Sequence, residues 1–137
     1  MQKSHNILIV DDSATTRAMI KRVIHMTGLS VATLYEVADG NAALALLNTQ
    51  TGEEAVDLVL TDLNMPGMDG VEMTRRMRTN AKLRTIPVIV ITARPDNETL
   101  EMFKQESVQG WLPKPITPEG VRNVVERALQ AVGGSNE

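Results

Sequence analysis

Four apolar runs in this sequence are each followed by polar residues that differ in chemical kind. Asp11 and Asp12 follow Ile7–Val10, Asp62 follows Leu58–Thr61, Thr92 follows Val88–Ile91, and Lys114 comes just after Trp111-Leu112. The carboxyl ends of parallel strands lie along one edge of a sheet, where open α/β sheets bind ligands. If the four runs are parallel strands of one sheet, three carboxylates, a hydroxyl and an ammonium group converge at that edge.

The three carboxylates predict a metal site. Two like charges roughly 4 Å apart repel by about 4 kcal/mol at an effective dielectric constant of about 20, and a hard divalent cation removes that cost. Mg²⁺ prefers oxygen ligands and is usually held by one or two carboxylates together with phosphate oxygens. A site built from Asp11, Asp12 and Asp62 therefore also anticipates a phosphate.

The remaining groups fit phosphoryl transfer, in which charge on the phosphoryl oxygens must be neutralised. A carboxylate can be the nucleophile and form an aspartyl-phosphate. We assign that role to Asp62, with Lys114 stabilising the transferring oxygens and Thr92 donating a hydrogen bond to one of them. The segment after Asp62 contains Pro66, Gly67 and Asp69 and has the composition of a turn, so the backbone carbonyl of Asn64 becomes a candidate metal ligand.

Composition limits the possible classes of function. The length of 137 residues suggests one domain, and the 42% hydrophobic and 23% charged fractions are those of an ordinary globular protein. No apolar run approaches the length of a membrane span, and no signal peptide is apparent, so we expect no membrane partner. The absence of cysteine excludes thiolate chemistry and fits a cytoplasmic location. The net charge of −3 argues against nucleic-acid binding.

Short apolar runs alternate with stretches of helical period, which is typical of βα units around a parallel sheet. The sequence predicts a first helix from about Ser13–Thr15 to just before Gly28, with Ala18, Met19, Val23 and Ile24 buried. It also predicts a strand at 31–37, a helix at 41–47 followed by a surface loop at 48–54, and a helix at 70–78. Further predictions are a strand opening at Pro87, a helix capped by Asp96 and running to about Glu106, a short strand at 109–112, and a final amphipathic helix with a Val-rich stripe from Val121 to Val132.

The motifs together resemble the receiver domains of bacterial two-component response regulators, of the single-domain chemotaxis type. The resemblance is carried by Ile9-Val10-Asp11-Asp12, by the segment from Leu60 to Gly70, by Ile91-Thr92-Ala93 and by Lys114-Pro115. It covers nearly the whole chain, and four motifs in this order at this spacing are highly specific. It implies a receiver domain at residues 5–132 and a flexible tail at 133–137.

The resemblance implies a single doubly wound, flavodoxin-like α/β fold with a five-stranded parallel sheet in the order 2-1-3-4-5 and five helices. It implies phosphorylation of Asp62 by a histidine kinase or phosphotransfer protein, and Mg²⁺, for which Mn²⁺ could substitute, held by Asp12, Asp62 and the Asn64 carbonyl, with Asp11 acting mainly through a water. It also implies a cis Lys114-Pro115 bond. Such a protein is a signalling switch that catalyses only its own phosphorylation and dephosphorylation.

Family members signal through a strand-four threonine and a strand-five aromatic, which here are Thr92 and Trp111. The partner is then a downstream protein that reads the surface of helix 4, strand 5 and helix 5. The sequence departs from the family at Trp111, where Tyr or Phe is commoner, at Ser107-Val108 in place of Gly-Ala, and at Pro113. These departures bear on the switch rather than on phosphorylation, and core packing is the alternative role for Trp111.

Three other functions compete with this interpretation. A phosphatase of the haloacid-dehalogenase type also uses an aspartate nucleophile and Mg²⁺. Such an enzyme has its nucleophile on the first strand and a second aspartate two residues later, whereas this chain has its predicted nucleophile on the third strand and Asn64 two residues later. A flavin-binding module needs a glycine-containing phosphate loop, which Asp11–Thr16 lacks. A receiver that is no longer phosphorylated would lack one of the site residues, all of which are present.

Overall fold

A computed structural model describes residues 4–134 of the chain. Five parallel strands form one sheet in the order β2-β1-β3-β4-β5, which confirms the predicted topology. The elements in chain order are β1 (His5–Val10), α1 (Ala14–Met26), β2 (Val31–Val37), α2 (Gly40–Thr49), a 3-10 helix (Gly52–Glu54), β3 (Leu58–Asp62), α3 (Gly70–Arg78), β4 (Val88–Thr92), α4 (Asn97–Gln105), β5 (Gly110–Pro113) and α5 (Pro118–Gly134).

The sheet is covered on both faces, and alternate residues of β1 show how the two layers divide. Leu8 and Val10 pack with α2, α3 and α4 residues such as Met73, Met77 and Phe103. Ile7 and Ile9 instead pack with α1 and α5 residues, which include Ile20, Ile24, Val121 and Val125. Because successive strand side chains point to opposite faces, a strand with helices on both sides must be apolar throughout. This is why β1, β3 and β4 appear in the sequence as continuous apolar runs.

The face that α1 buries differs from the prediction. Val23 and Ile24 are buried as expected, but Ala18 and Met19 face solvent, and Met19 is 45% exposed. Ile20 is buried instead, one turn before Ile24 on the same side of the helix. The prediction was wrong here because it started the buried stripe two residues too early in a helix whose exposed face also carries apolar side chains.

Asp and Ser side chains fix where four helices begin. Ser13, Asp39, Asp69 and Asp96 each accept a hydrogen bond from the backbone N–H three residues ahead, at 2.8 to 3.2 Å. Each bond satisfies one of the free donors of a helix N-terminus. The predicted cap at Asp96 is thereby confirmed, and so are the bounds of α3.

The last two elements shift slightly from their predicted positions. β5 begins one residue later than predicted and includes Pro113. The final helix extends through Gly134, two residues into the segment predicted to be a tail, and the rest of that segment, 135–137, lies outside the described residues, as does the side chain of Val132. None of the described helices combines the length and the apolar character needed to cross a membrane.

Candidate functional site

The structure brings the predicted polar residues together at the carboxyl edge of the sheet. Carboxylate oxygens of Asp11, Asp12 and Asp62 all lie within 4.8 Å of one another. The Lys114 ammonium donates a hydrogen bond to Asp62 Oδ1 at 3.1 Å. Residues that are 50 and 52 positions apart in the chain thus meet because β1 and β5 flank the central pair β3 and β4 in one parallel sheet.

The turn between β1 and α1 fixes the backbone and side chain of Asp11. Its N–H donates to the Val37 carbonyl at 3.1 Å, and its Oδ1 accepts a hydrogen bond from the Ser13 N–H at 2.8 Å. The Asp11 carbonyl accepts a hydrogen bond from the Arg17 guanidinium at 2.6 Å. Oδ1 and the backbone of Asp11 therefore already form hydrogen bonds within the protein. The second carboxylate oxygen, Oδ2, has no hydrogen bond within the described part of the chain.

The electrostatics of the site disfavour a charged Asp11. Burial raises the pKa of Asp11 above its ordinary value of 3.8, and the nearby Asp62 and Asp12 carboxylates act in the same direction. The Ser13 hydrogen bond and the Lys114 charge oppose this rise of the pKa without cancelling it. Asp11 is only 3% exposed, so without a cation its negative charge has little water to stabilise it.

Asp62 ends β3 and sits against the start of α3. The Cα of Gly70 lies so close to Asp62 that a Cβ added there would come within 2.6 Å of the Asp62 carbonyl oxygen. Gly70 also donates from its N–H to the Leu63 carbonyl at 2.9 Å. A side chain at position 70 would therefore push α3 away from the residue predicted to carry the phosphoryl group.

The turn from Leu63 to Asp69 presents Asn64 to solvent. Asn64 is exposed two residues beyond Asp62, while Met65 and Met68 are buried and anchor the turn to the core. Gly67 adopts a φ of +80°, a conformation that favours glycine. This arrangement leaves the Asn64 backbone near the edge of the sheet, and its role as a metal ligand stays a prediction.

Thr92 and Lys114 are positioned by the pairing of β4 with β5. Thr92 is the last residue of β4 and is 6% exposed. It follows Ile91, which pairs with Asp62 across the sheet, and its carbonyl accepts a hydrogen bond from the Lys114 N–H at 3.2 Å. The Lys114-Pro115 peptide bond is cis, as the resemblance implied.

Trp111 lies at the surface rather than in the core. Its neighbour in β5, Leu112, is buried on the α1 and α5 face, whereas Trp111 is 37% exposed on the opposite face. There it lines a groove of about 480 Å³ together with Leu100, Phe103, Lys104 and Val108. The indole therefore occupies an outward position beside α4, and simple core packing does not describe it.

Two residues of the site escaped the sequence-based prediction. Gly70 was predicted only as the first residue of a helix and Arg17 was not singled out, although both lie against the backbone of a predicted site aspartate. A signal for Arg17 existed, because it stands one helical turn after the N-cap Ser13 and is the first basic residue after two acidic ones. No comparable signal exists for Gly70, since only the packing of α3 on β3 creates the close approach.

The residues present fit a hard divalent cation. The oxygens of Asp11, Asp12 and Asp62 are close enough to share one ion, and Asp11 is buried beside two like charges. Carboxylate oxygens are the ligands that Mg²⁺ prefers. The site thus has the ligand type and the excess of negative charge that Mg²⁺ requires.

Comparisons with known proteins agree on one family. The family model for the response regulator receiver domain matches residues 7–126. The chain is 33% identical to the chemotaxis protein CheY of Pseudomonas aeruginosa over 128 residues, which is 93% of this chain and 98% of that protein.

Solved structures show the same similarity in three dimensions. The structure of the chemotaxis protein CheY4 of Vibrio cholerae has 30% sequence identity and a TM-score of 0.78, covering 93% of this chain and 100% of the other. The receiver domain of the sensor histidine kinase PA1611 of Pseudomonas aeruginosa, solved with a magnesium ion coordinated in its active site cleft, has 25% identity and a TM-score of 0.77, covering 93% of this chain and 99% of the other.

Proposed function

This chain belongs to the response regulator receiver domain family, and from that premise we propose that it accepts a phosphoryl group on Asp62 and signals through contacts with other proteins. The observation that carries the proposal is the convergence of Asp62 with two further carboxylates and with the Lys114 ammonium at one sheet edge. Each of these groups has a separate chemical task in phosphoryl transfer.

Asp62 is the nucleophile in this proposal. One of its carboxylate oxygens forms a bond to phosphorus while the bond from phosphorus to the donor's histidine nitrogen breaks, and the departing imidazole takes up a proton. Lys114, already within hydrogen-bond distance of Asp62, neutralises charge on the phosphoryl oxygens. Thr92, buried beside it at the end of β4, donates its hydroxyl to one of those oxygens.

In this proposal Asp12, Asp62 and the Asn64 carbonyl would hold Mg²⁺, with Asp11 acting mainly through a water, and Mn²⁺ could substitute. When bound, the ion offsets the repulsion among the carboxylates and stabilises charge on the phosphoryl group. The magnesium ion in the cleft of the PA1611 receiver domain, together with the acidic cluster of this chain, supports the assignment.

The partners follow from the family. A histidine kinase or a phosphotransfer protein supplies the phosphoryl group, and a downstream protein binds the surface formed by α4, β5 and α5, where Trp111 lines an open groove. The protein then acts in the cytoplasm as a switch and catalyses only its own phosphorylation and dephosphorylation. The net charge of −3 offers no basis for nucleic-acid binding.

Intact-mass spectrometry tests the proposal directly. We expect the wild-type protein to gain the mass of one phosphoryl group after incubation with acetyl phosphate and Mg²⁺, and to gain much less when EDTA replaces the metal. Asp62→Asn removes the nucleophile while keeping the shape of the side chain, and this variant should gain no mass.

Asp69→Asn provides the matched control because it changes a carboxylate in the same segment. Asp69 caps α3, and asparagine is an equally good N-cap, so the fold should be preserved. This variant should be phosphorylated like the wild type. A wild-type protein with no Mg²⁺-dependent mass gain, or an Asp62→Asn variant that still gains it, would contradict the proposal.

A further inference from the structure

Arg17 connects the acidic turn to the edge strand β2. Its Nη1 donates to the Asp11 carbonyl at 2.6 Å, and its Nε donates to Glu36 Oε1 at 2.9 Å. The Arg17 side chain is 17% exposed, so most of it is enclosed by protein. A planar guanidinium with fixed donors can bridge two acceptors in this way and so fixes their relative position.

Glu36 holds Arg17 in place from the opposite side. Its second oxygen accepts a hydrogen bond from the Lys21 ammonium on the next turn of α1. The hydrogen bonds from Lys21 and Arg17 lower the pKa of Glu36 below its ordinary value, so Glu36 stays negatively charged. The guanidinium therefore has an anionic partner on the side opposite the Asp11 carbonyl.

The bond from Arg17 completes the restraints on the backbone of Asp11. The Asp11 N–H is bonded to β2 through Val37, and the Asp11 carbonyl is bonded to β2 through Arg17 and Glu36. Without Arg17 the carbonyl end of this peptide would be free to turn. Repulsion from Asp12 and Asp62 then favours movement of the Asp11 carboxylate away from the cluster.

We propose that Arg17 is a positioning residue for the metal site, holding the Asp11 turn in the geometry that binds Mg²⁺, with Glu36 as its anchor. The inference rests on the proposed function, because it assumes that the acidic cluster takes Mg²⁺. It adds two residues, Arg17 and Glu36, that are not among the proposed metal ligands or the residues proposed to bind the phosphoryl group. Metal sites commonly depend on such outer residues, which orient the ligands.

The sign of the effect separates positioning from simple electrostatics. A positive charge beside a cation site weakens metal binding, so removing Arg17 would strengthen Mg²⁺ binding if charge were its main contribution. Removing a positioning residue weakens metal binding, by about tenfold or more in other metal proteins. The two roles thus predict opposite changes in one measured quantity.

Isothermal titration calorimetry with Mg²⁺ alone tests the inference on the full chain. We expect Arg17→Ala to raise the dissociation constant by about tenfold, and Glu36→Gln to raise it as well because Arg17 loses its anchor. Arg22→Ala is the matched control, since Arg22 is an exposed arginine on the same helix. This control should leave the dissociation constant unchanged or lower it slightly.

A double variant distinguishes positioning from general loss of stability. If Arg17 and Glu36 act as one unit, Arg17→Ala/Glu36→Gln should bind Mg²⁺ about as weakly as Arg17→Ala alone, whereas independent effects would add. Amide hydrogen exchange at Ser13 in EDTA should be faster in Arg17→Ala, with the exchange of the central strands unchanged. Should Arg17→Ala fail to fold, Arg17→Lys carries the test, because lysine keeps the positive charge but cannot bridge both acceptors; weaker Mg²⁺ binding would support positioning, and unchanged binding would overturn it.

The outcomes separate the two proposals. Wild-type protein that binds no Mg²⁺ would overturn the metal site and this inference with it. If the wild-type protein binds Mg²⁺ and the Arg17→Ala variant binds it equally or more tightly, the positioning role alone is overturned. Strictly additive effects of the two substitutions would also overturn it.

Discussion

At the scale of single residues, the pKa of Asp11 is determined by its burial and by the charged groups around it. It is almost fully buried, it is held by Ser13 and Arg17, and it lies beside two other carboxylates. Burial is the main cause of its raised pKa. A buried carboxylate beside two others is costly without a compensating cation, which supports the proposed metal site.

The raised pKa of Asp11 predicts how pH affects the metal-free protein. Between the unfolded value of 3.8 and the higher folded pKa, the folded state binds more protons than the unfolded state, so this group makes stability fall as pH rises. Asp11→Asn removes the effect and keeps an oxygen that can accept the Ser13 hydrogen bond. In EDTA, we expect Asp11→Asn to be more stable than the wild type, by an amount that grows as pH rises through that window.

Urea unfolding of both proteins in EDTA at a series of pH values measures this difference. Asp57→Asn serves as a control for a carboxylate at the opposite end of β3, away from the site. A free-energy difference between wild type and Asp11→Asn that stays constant, or that shrinks as pH rises, would show that Asp11 is not destabilised by its charge.

At the scale of elements, Arg78 links the end of α3 to the loop before β4 and to the loop between α4 and β5. Its guanidinium donates to the carbonyls of Arg84 and Ile86 before β4 and to those of Glu106 and Ser107 after α4, at 2.8 to 3.2 Å. Burial lowers the pKa of Arg78, partly offset by Glu106. Ser107 has a φ of +58°, unusual for a residue with a side chain, so the loop it occupies depends on outside support.

Arg78→Ala should therefore destabilise the fold by about 2 kcal/mol or more, because several carbonyls lose a charged donor at once. Arg78→Lys should recover only part of this loss, since an ammonium cannot reach the same set of acceptors. Arg76→Ala, which removes an exposed arginine paired with Glu72 on the same helix, is the control and should cost less than about 1 kcal/mol. Chemical denaturation measures all three, and equal losses for Arg78→Ala and Arg76→Ala would contradict the role assigned to Arg78.

At the scale of the whole molecule, the proposed switch must carry a signal from the sheet edge to the surface beside α4. Asp62 and Thr92 lie at the carboxyl end of the sheet, and Trp111 pairs through β5 with Val90, two residues before Thr92. The indole is outward in this structure and lines an open groove. A shift of Trp111 toward the interior would change that groove, which gives a partner a surface to distinguish.

Trp111 is the only tryptophan, so its fluorescence reports this shift without interference. If phosphorylation draws the indole inward, acetyl phosphate with Mg²⁺ should move the emission to shorter wavelength and reduce quenching by acrylamide. Asp62→Asn should show neither change under the same conditions. Emission and quenching that stay unchanged in a wild-type sample shown by mass to be phosphorylated would exclude Trp111 from the switch.

The sheet order was implied by the resemblance to receiver domains, and sequence patterns by themselves predicted the bounds of most elements and the sheet edge at which the candidate site residues meet. Those features depend on local rules, because buried parallel strands are continuous apolar runs and polar residues at their carboxyl ends must share one edge. Tertiary structure alone decided which face of α1 is buried, where Trp111 points, and why position 70 is glycine. It also showed that Arg17, Glu36 and Asp11 form one connected group. These features depend on how helices and turns pack against the sheet, and this packing leaves little or no periodic pattern in the sequence from which it could be predicted.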